Sequence, residues 1–413
     1  MSYELGGYES QSRHIESRGV ENVLVMQGGG SLGAFACGVF KALVKQNIRI
    51  DIVAGTSIGA VNAAIIVGSK SGNPEVDLEN FWMEISESTH RIIPDIFTHD
   101  WDIQSQMYIP KKISSASANA AIFGVPKMFV PRWQSWLNLW NSEDNSSNSA
   151  RNESFDKENF DPRNWTYLYD HSPLGKTLDK YIDFKKLNLA ATKEELPSVL
   201  RLIMTAVDVK TARPLIFDNT QLEIKTKHIL ASAGYPIYGF PWVEVDDDVY
   251  AWDGSLLSNT PIREVLYVSP RNDKNIYIVE NYPQKIDKLP SNLAEVANRY
   301  KDIIFCDKDI DNIKMSKLLT RHIRLIEELY EAFENNIDHS RMDNKQIQNI
   351  KREYETLIEK YGAEIKSFTR IIRSDVESPT ILKNADFSPK TIKKLIEQGE
   401  NKTIEKIKNM KID

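Results

Sequence analysis

An α/β fold with a mainly parallel central sheet is what this sequence predicts, and three observations predict it. Two strand-turn-helix units follow one another near the amino terminus, in NVLVMQGGGSLGAFACGVFKALVKQ and IRIDIVAGTSIGAVNAAIIVG; such a pair implies a parallel sheet with covering helices. Apolar strand patterns return after residue 198 and again at 275–283, so the sheet draws on distant parts of the chain. Finally, 413 residues, 41% of them hydrophobic and 27% charged, suffice for one large core with additions.

In the first unit Val23 to Met26 form a strand, and Leu32, Phe35, Ala36, Val39, Phe40 and Leu43 recur at helical spacing after a glycine cluster. In the second, Ile50 to Ala54 form a short buried strand, Gly55 to Gly59 a turn, and Ala60 to Val67 a helix of mostly small residues. Residues 75–90 and 173–187 read as helices, and the different composition between them marks an insertion. Its Trp133, Trp136, Leu137 and Trp140 share one helical face, whereas 141–158 is polar and low in complexity.

From 198 onward, SVLRLIMTAVDVKTARPLIFDN reads as two strands around KTARP, followed by a helix at 225–233. VEVDDDVYAWDGS then reads as a hairpin with an acidic tip at 246–248, and NIYIVENYP, 275–283, as the last core strand. Beyond about 290 the chain is mostly charged helix with two apolar seams, Met315, Leu319, His322, Ile326, Leu329, Phe333 and Ile347, Ile350, Tyr354, Leu357, Tyr361. Residues 369–377 suit an edge strand, and Ser388-Pro389 opens a final helix as N-cap and first helical residue.

Fifty-two Lys and Arg against 58 Asp and Glu give net charge −6, which argues against nucleic acid or anionic lipid as a partner held by bulk charge. Two cysteines, Cys37 and Cys306, are too few for a disulfide framework or a cysteine zinc site. The opening MSYELGGYESQSRHIESRG has no apolar signal core, and no segment supplies about 18 uninterrupted apolar residues. A soluble, cytoplasmic protein is expected.

Gly55-Thr56-Ser57-Ile58-Gly59 is G-x-S-x-G between a strand and a helix, the context that a nucleophile elbow requires. The helix N-terminus would favour an alkoxide-like nucleophile and a tetrahedral oxyanion; the alternative is a glycine-rich turn with no chemistry. Gly28-Gly29-Gly30-Ser31-Leu32-Gly33 also links strand to helix. No Gly-Lys-Ser/Thr follows, which excludes a P-loop, and Asp51 precedes its strand, which weakens a dinucleotide site. An oxyanion hole built from backbone N–H groups suits the loop best.

A nucleophilic serine needs a base. Seven histidines exist, at 14, 90, 99, 171, 228, 322 and 339; only His322 and His339 come late enough for α/β-hydrolase order, and both lie in the charged tail and read as structural. The carboxylate alternative is Asp253, where an apolar strand ends in Asp-Gly-Ser; a lone Asp-Gly is ordinarily a turn, but catalytic groups gather at strand ends in such sheets.

Together the glycine loop, the elbow and Asp253-Gly254-Ser255 resemble the patatin-like phospholipases, in particular a prokaryotic subgroup with a helical C-terminal extension. The resemblance implies a three-layer patatin-like fold, into which the Trp-rich stretch is inserted as a cap. It implies Ser57 as nucleophile, Asp253 as base, Gly28, Gly29, Gly30 and Ser31 as oxyanion hole, and Gly33, Gly55, Gly59 and Gly254 as supporting positions, with no metal and no cofactor. The implied activity is lipase, phospholipase or esterase cleavage through an acyl-enzyme, with acyl transfer or a catalytically silent scaffold as alternatives. The implied organisation is a polar leader at 1–20, a hydrolase domain at 21–290 with its cap near 95–170, and a helical extension at 291–413. Three departures stand out: Gln27 and Leu32 where many members carry Asp and Arg or Lys, Ser255 as a small-for-small replacement of Gly or Ala, and the Trp-rich insertion, which has no fixed counterpart in the plant members. The expected partners are a lipid or other ester substrate, a membrane touched peripherally if the Trp stripe rests on it instead of packing on the core or covering an acyl pocket, and a second copy as a homodimer if the C-terminal helices pack on one another instead of on the core.

Overall fold

Period-two burial builds the sheet. In β1 (Val20–Met26) Leu24 and Met26 enter one apolar cluster while Val23 and Val25 enter another, and in β2 (Ile52–Thr56) Val53 and Ile52 divide in the same way. Strands buried on both faces need helices on both faces, which is the three-layer arrangement expected. The computed structural model describes residues 19–89, 115–132, 165–189, 200–269, 272–306, 309–336, 344–373 and 382–410.

The described helices, in chain order, are α1 (Ala34–Lys45), α2 (Ile58–Val67), α3 (Pro74–Glu87), α4 (Ser115–Phe123), α5 (Ser172–Tyr181), α6 (Phe184–Leu187), α7 (Thr226–Ala233), α8 (Ile262–Val268), α9 (Leu293–Phe305), α10 (Asp309–Asn336), α11 (Asn344–Tyr361) and α12 (Pro389–Met410). Beyond β2 come the short antiparallel pair β3 (Val130–Pro131) and β4 (Tyr169–Asp170), then β5 (Arg201–Asp208), β6 (Pro214–Asp218), β7 (Val243–Asp246), β8 (Val249–Asp253), β9 (Asp273–Glu280) and β10 (Ile365–Ile372). The main sheet runs β10-β9-β1-β2-β5-β8-β7, with β6 also paired to β5. The β10-to-β5 portion is parallel, and β6, β8 and β7 add antiparallel pairings.

Several boundaries differ from the sequence expectation: the helix expected over 173–187 breaks into α5 and α6, the strand expected from Ile50 starts at Ile52, and the one expected at 275–283 is Asp273–Glu280. Ladder pairing of Met26 with Gly55 and of Thr56 with Thr205 carries β2 on to Thr56, and α2 begins at Ile58, so Ser57 alone makes the turn. The strand expected at 369–377 is Ile365–Ile372, because its register is set by β9. His322 is exposed on α10 with Nδ1 2.7 Å from the Leu318 carbonyl oxygen, so it is no part of an apolar seam. Tyr330 instead stacks on Tyr354 of α11, ring centroids 3.8 Å apart. Trp133, Trp136 and Trp140, and His14, His90, His99 and His339, lie outside the described residues.

Helix α12 lies on α1 at a separation only glycine permits. A Cβ on Gly38 would stand 1.8 Å from the Ile396 carbonyl oxygen, and one on Gly399 2.1 Å from that of Phe35. Close backbone approach lets Ile392, Leu395 and Ile396 sink into the main apolar cluster, so the carboxyl-terminal helix is part of the core that carries the site.

Candidate active site

Adjacent parallel strands bring their carboxyl ends side by side, which is where α/β sheets place reactive groups. The glycine loop leaves β1, Ser57 leaves β2, and β8 runs antiparallel so that its last residue, Asp253, pairs with Ala206, one position past the Thr205 that faces Thr56. Thr56 and Thr205 fix that junction through hydroxyls 2.6 Å apart. Asp51, by contrast, sits at the opposite end of β2, where its carboxylate accepts from the Asn22 N–H at 2.9 Å; it is remote from the glycine loop, and the dinucleotide reading has no support.

Ser57 occupies φ 58° and ψ −129°, a region that L residues rarely adopt. The strain follows from compressing a strand-to-helix reversal into one residue, and it is held from both sides: the Ser57 N–H donates to Ser232 Oγ at 3.3 Å, and its carbonyl accepts the first α2 N–H groups of Ala60 and Val61. Gly28 lies against the elbow so tightly that a Cβ there would be 2.7 Å from Ser57 Cβ and 2.6 Å from Asn259 Oδ1. Loop and serine therefore form one packed unit.

Asp253 is fully buried. Its Oδ1 accepts from the Ser255 N–H at 2.8 Å and the Ser255 hydroxyl at 2.7 Å, while Oδ2 is left without a hydrogen-bond partner. Burial pushes the carboxyl up to about 6, against the stabilising influence of Ser57 and Ser255. The Ser57 side chain is thus near enough to favour the carboxylate. Ser255, which reads in sequence as a small-for-small replacement, donates its hydroxyl where Gly or Ala could not.

A set of buried amides with no motif signature holds the loop. Gly28 N–H donates to Asn259 Oδ1 at 3.0 Å, and Asn259 Nδ2 donates to the Phe305 carbonyl at 3.0 Å. Gln27 donates to Thr260 Oγ1 and accepts from the Asn281 N–H, and Asn281 Nδ2 reaches the carbonyls of Gln27 and Gly28. Gln27 in place of an acid is thus a neutral clamp. With the Gly28 N–H committed and Ser31 buried with its hydroxyl on the Lys383 carbonyl, Gly29 and Gly30 are the loop residues that line the adjoining cavity.

That cavity, of about 220 Å³, is lined by Ser57, Asp253 and Ser255 and by Phe129, Tyr235, Phe240, Tyr282, Phe305 and Phe387 among others. His171 also lines it, but burial pulls its imidazole below the ordinary range, and its Nε2 is engaged by the Leu230 carbonyl at 3.1 Å. His228 is buried against Phe217, is pushed down to about 4 mainly by burial, and accepts from the Lys225 N–H. Among the described residues no group of three or more His, Cys, Asp or Glu could hold a metal ion. No described helix is long and apolar enough to cross a membrane.

Residues 24–266 match the family model described as patatin-like phospholipase. The chain is 43% identical over 61 residues to a triacylglycerol lipase of Arabidopsis thaliana and 45% identical over 60 residues to a lysophospholipase of Aspergillus terreus. Those segments span 15% and 14% of this chain but only 7% and 4% of the two relatives. Among solved structures, VipD from Legionella pneumophila aligns over 94% of this chain and 67% of its own, at 13% identity and a TM-score of 0.38.

Proposed function

As the chain belongs to the patatin-like phospholipase family, we propose that it is a serine hydrolase that cleaves lipid-like carboxylic esters with Ser57 as nucleophile and Asp253 as base. Ser57 Oγ attacks the ester carbonyl carbon while its proton passes to Asp253 Oδ2. The developing oxyanion is met by backbone N–H groups of the loop at Gly29 and Gly30 and by the positive end of α2. Collapse of the tetrahedral adduct returns the proton from Asp253 to the departing alkoxide and leaves an acyl-enzyme. Water then repeats the sequence, deprotonated by Asp253, and releases the fatty acid.

The observation that carries this reading is the unpaired, fully buried Asp253 Oδ2 beside a strained Ser57. An acceptor left open in the core is costly unless something uses it, and a carboxyl near 6 is ionised at neutral pH yet basic enough to take a proton in the transition state. Burial disfavours the imidazolium that His171 and His228 would have to form as bases, and each has a ring nitrogen engaged with the backbone, which favours the carboxylate as base. The apolar cavity suits an acyl chain.

The test is turnover of short soluble esters and of long-chain glycerolipids by the wild type and by Ser57→Ala. The variant should lose turnover on both while keeping its unfolding midpoint; undiminished turnover would remove the serine from the mechanism. Separating products in the presence of added alcohol or lysolipid reports whether water or another acceptor takes the acyl group.

A further inference from the structure

Helix α9 is amphipathic the wrong way round for a core helix. Asn298 and Asp302 are buried on its inner side, and Arg299 reaches back to the Pro283 and Gln284 carbonyls. Apart from Phe305, its large apolar side chains face solvent: Leu293 is 73% exposed, Val296 50%, Tyr300 65% and Ile303 59%, at i, i+3, i+7 and i+10 on one face, with Leu289 at 87% just ahead of them. Isolated exposed apolar residues are ordinary, but a helical stripe of them marks an interaction surface.

The stripe adjoins the cavity. At three places one residue lines the cavity while its chain neighbour is an exposed apolar side chain: Phe305 beside Ile304, Tyr238 beside Ile237, and Ser255 beside Leu256. These segments meet, for Lys301 Nζ lies 5.7 Å from the Tyr238 ring centroid and Asn259 binds the Phe305 carbonyl. We propose that the exposed face of α9, with Ile237 and Leu256, is the surface by which this protein docks on a lipid layer, so that an acyl chain passes from that layer to the cavity behind Phe305 without crossing water. The substrate side of this inference rests on the hydrolase reading above; the docking itself does not. A lipid layer is the occupant that the observations favour because the stripe neighbours, at Ile304–Phe305 and Ile237–Tyr238, an apolar cavity that Ser57 also lines, and a net charge of −6 leaves apolar insertion, rather than bulk charge attraction, to hold the contact.

Flotation with uncharged phosphatidylcholine vesicles tests the docking in a Ser57→Ala background, where the lipid stays intact. Ser57→Ala alone should float with the vesicles, and adding Leu293→Gln, Val296→Gln and Ile303→Gln should lower the bound fraction by tenfold or more. With Ser57 restored, the same triple variant should hydrolyse a short soluble ester within twofold of wild type and vesicle lipid at least tenfold more slowly. Equal flotation with and without the triple change overturns the proposal, as does a triple change that splits a dimer without altering vesicle binding, which would make a second copy the occupant. Flotation abolished by the triple change in a protein that cleaves no ester supports docking and counts against the hydrolase reading alone.

Discussion

The α1–α12 contact and the Asp253 pocket belong to one apolar core, yet they follow opposite rules. Between the helices two glycines let backbones touch, and Ile392, Leu395 and Ile396 are buried. At Asp253 the same core holds a carboxylate with one open oxygen, a serine in a strained conformation and a cavity. The first region stabilises; the second is held in an unfavourable state by its surroundings, which is what a preorganised base requires. Substitutions in the two regions should therefore move stability in opposite directions.

The largest effect is expected at the base. Asp253→Asn should lower kcat/KM for a soluble ester by about a thousandfold, within the usual range for a general base, while raising stability at pH 7.5 by about 1 to 3 kcal/mol. The sign follows from the folded carboxyl lying near 6 instead of 3.8: the fold loses stability as pH rises through that interval, and an amide does not titrate. Paired ester assays and urea titrations read both quantities; a destabilised Asn variant would break the contrast.

On the helix side, Ile392→Ala should cost about 2 to 4 kcal/mol by emptying a packed site, with kcat of the folded fraction little changed. Urea unfolding and active-site-normalised rates check this. Asn259→Ala lies between the two regions, since it frees the Gly28 N–H and loosens the loop. It should lower kcat by about 10- to 100-fold, through loss of oxyanion alignment, with KM nearly constant; a KM effect alone would assign Asn259 to substrate binding.

The smallest effect sharpens the account of the base itself. The acid limb of kcat/KM should fall near pH 6, about tenfold per unit below it, and Ser255→Ala should move that limb upward by about one unit or less, because the lost hydroxyl stabilised the carboxylate. A downward move would contradict the assigned direction.

The two positions proposed to react are legible in the sequence because their motifs are local. Ser57 lies in a five-residue motif at a strand-helix junction, and Asp253 closes a strand with Asp-Gly-Ser, so spacing and strand context reach both. The amide clamp was not legible, since Gln27 and Gly28 meet Asn259, Thr260 and Asn281 across more than 230 residues of chain, and amide contacts leave no period or motif. Orientation was hidden too. Hydrophobic periodicity reveals that a helix has an apolar stripe but not what the stripe faces, and α9 and α12 are both amphipathic yet present opposite faces to the core.

The central claim is that Ser57 is activated by Asp253 without a histidine. Intact-mass analysis after brief exposure to a lipid-like fluorophosphonate tests it most directly, on the wild type, Ser57→Ala and Asp253→Asn. The account predicts one adduct on the wild type, none on Ser57→Ala, and labelling of Asp253→Asn slowed by at least about a hundredfold, in line with loss of a general base. Labelling of Asp253→Asn at the wild-type rate, or an adduct that persists in Ser57→Ala, would contradict it.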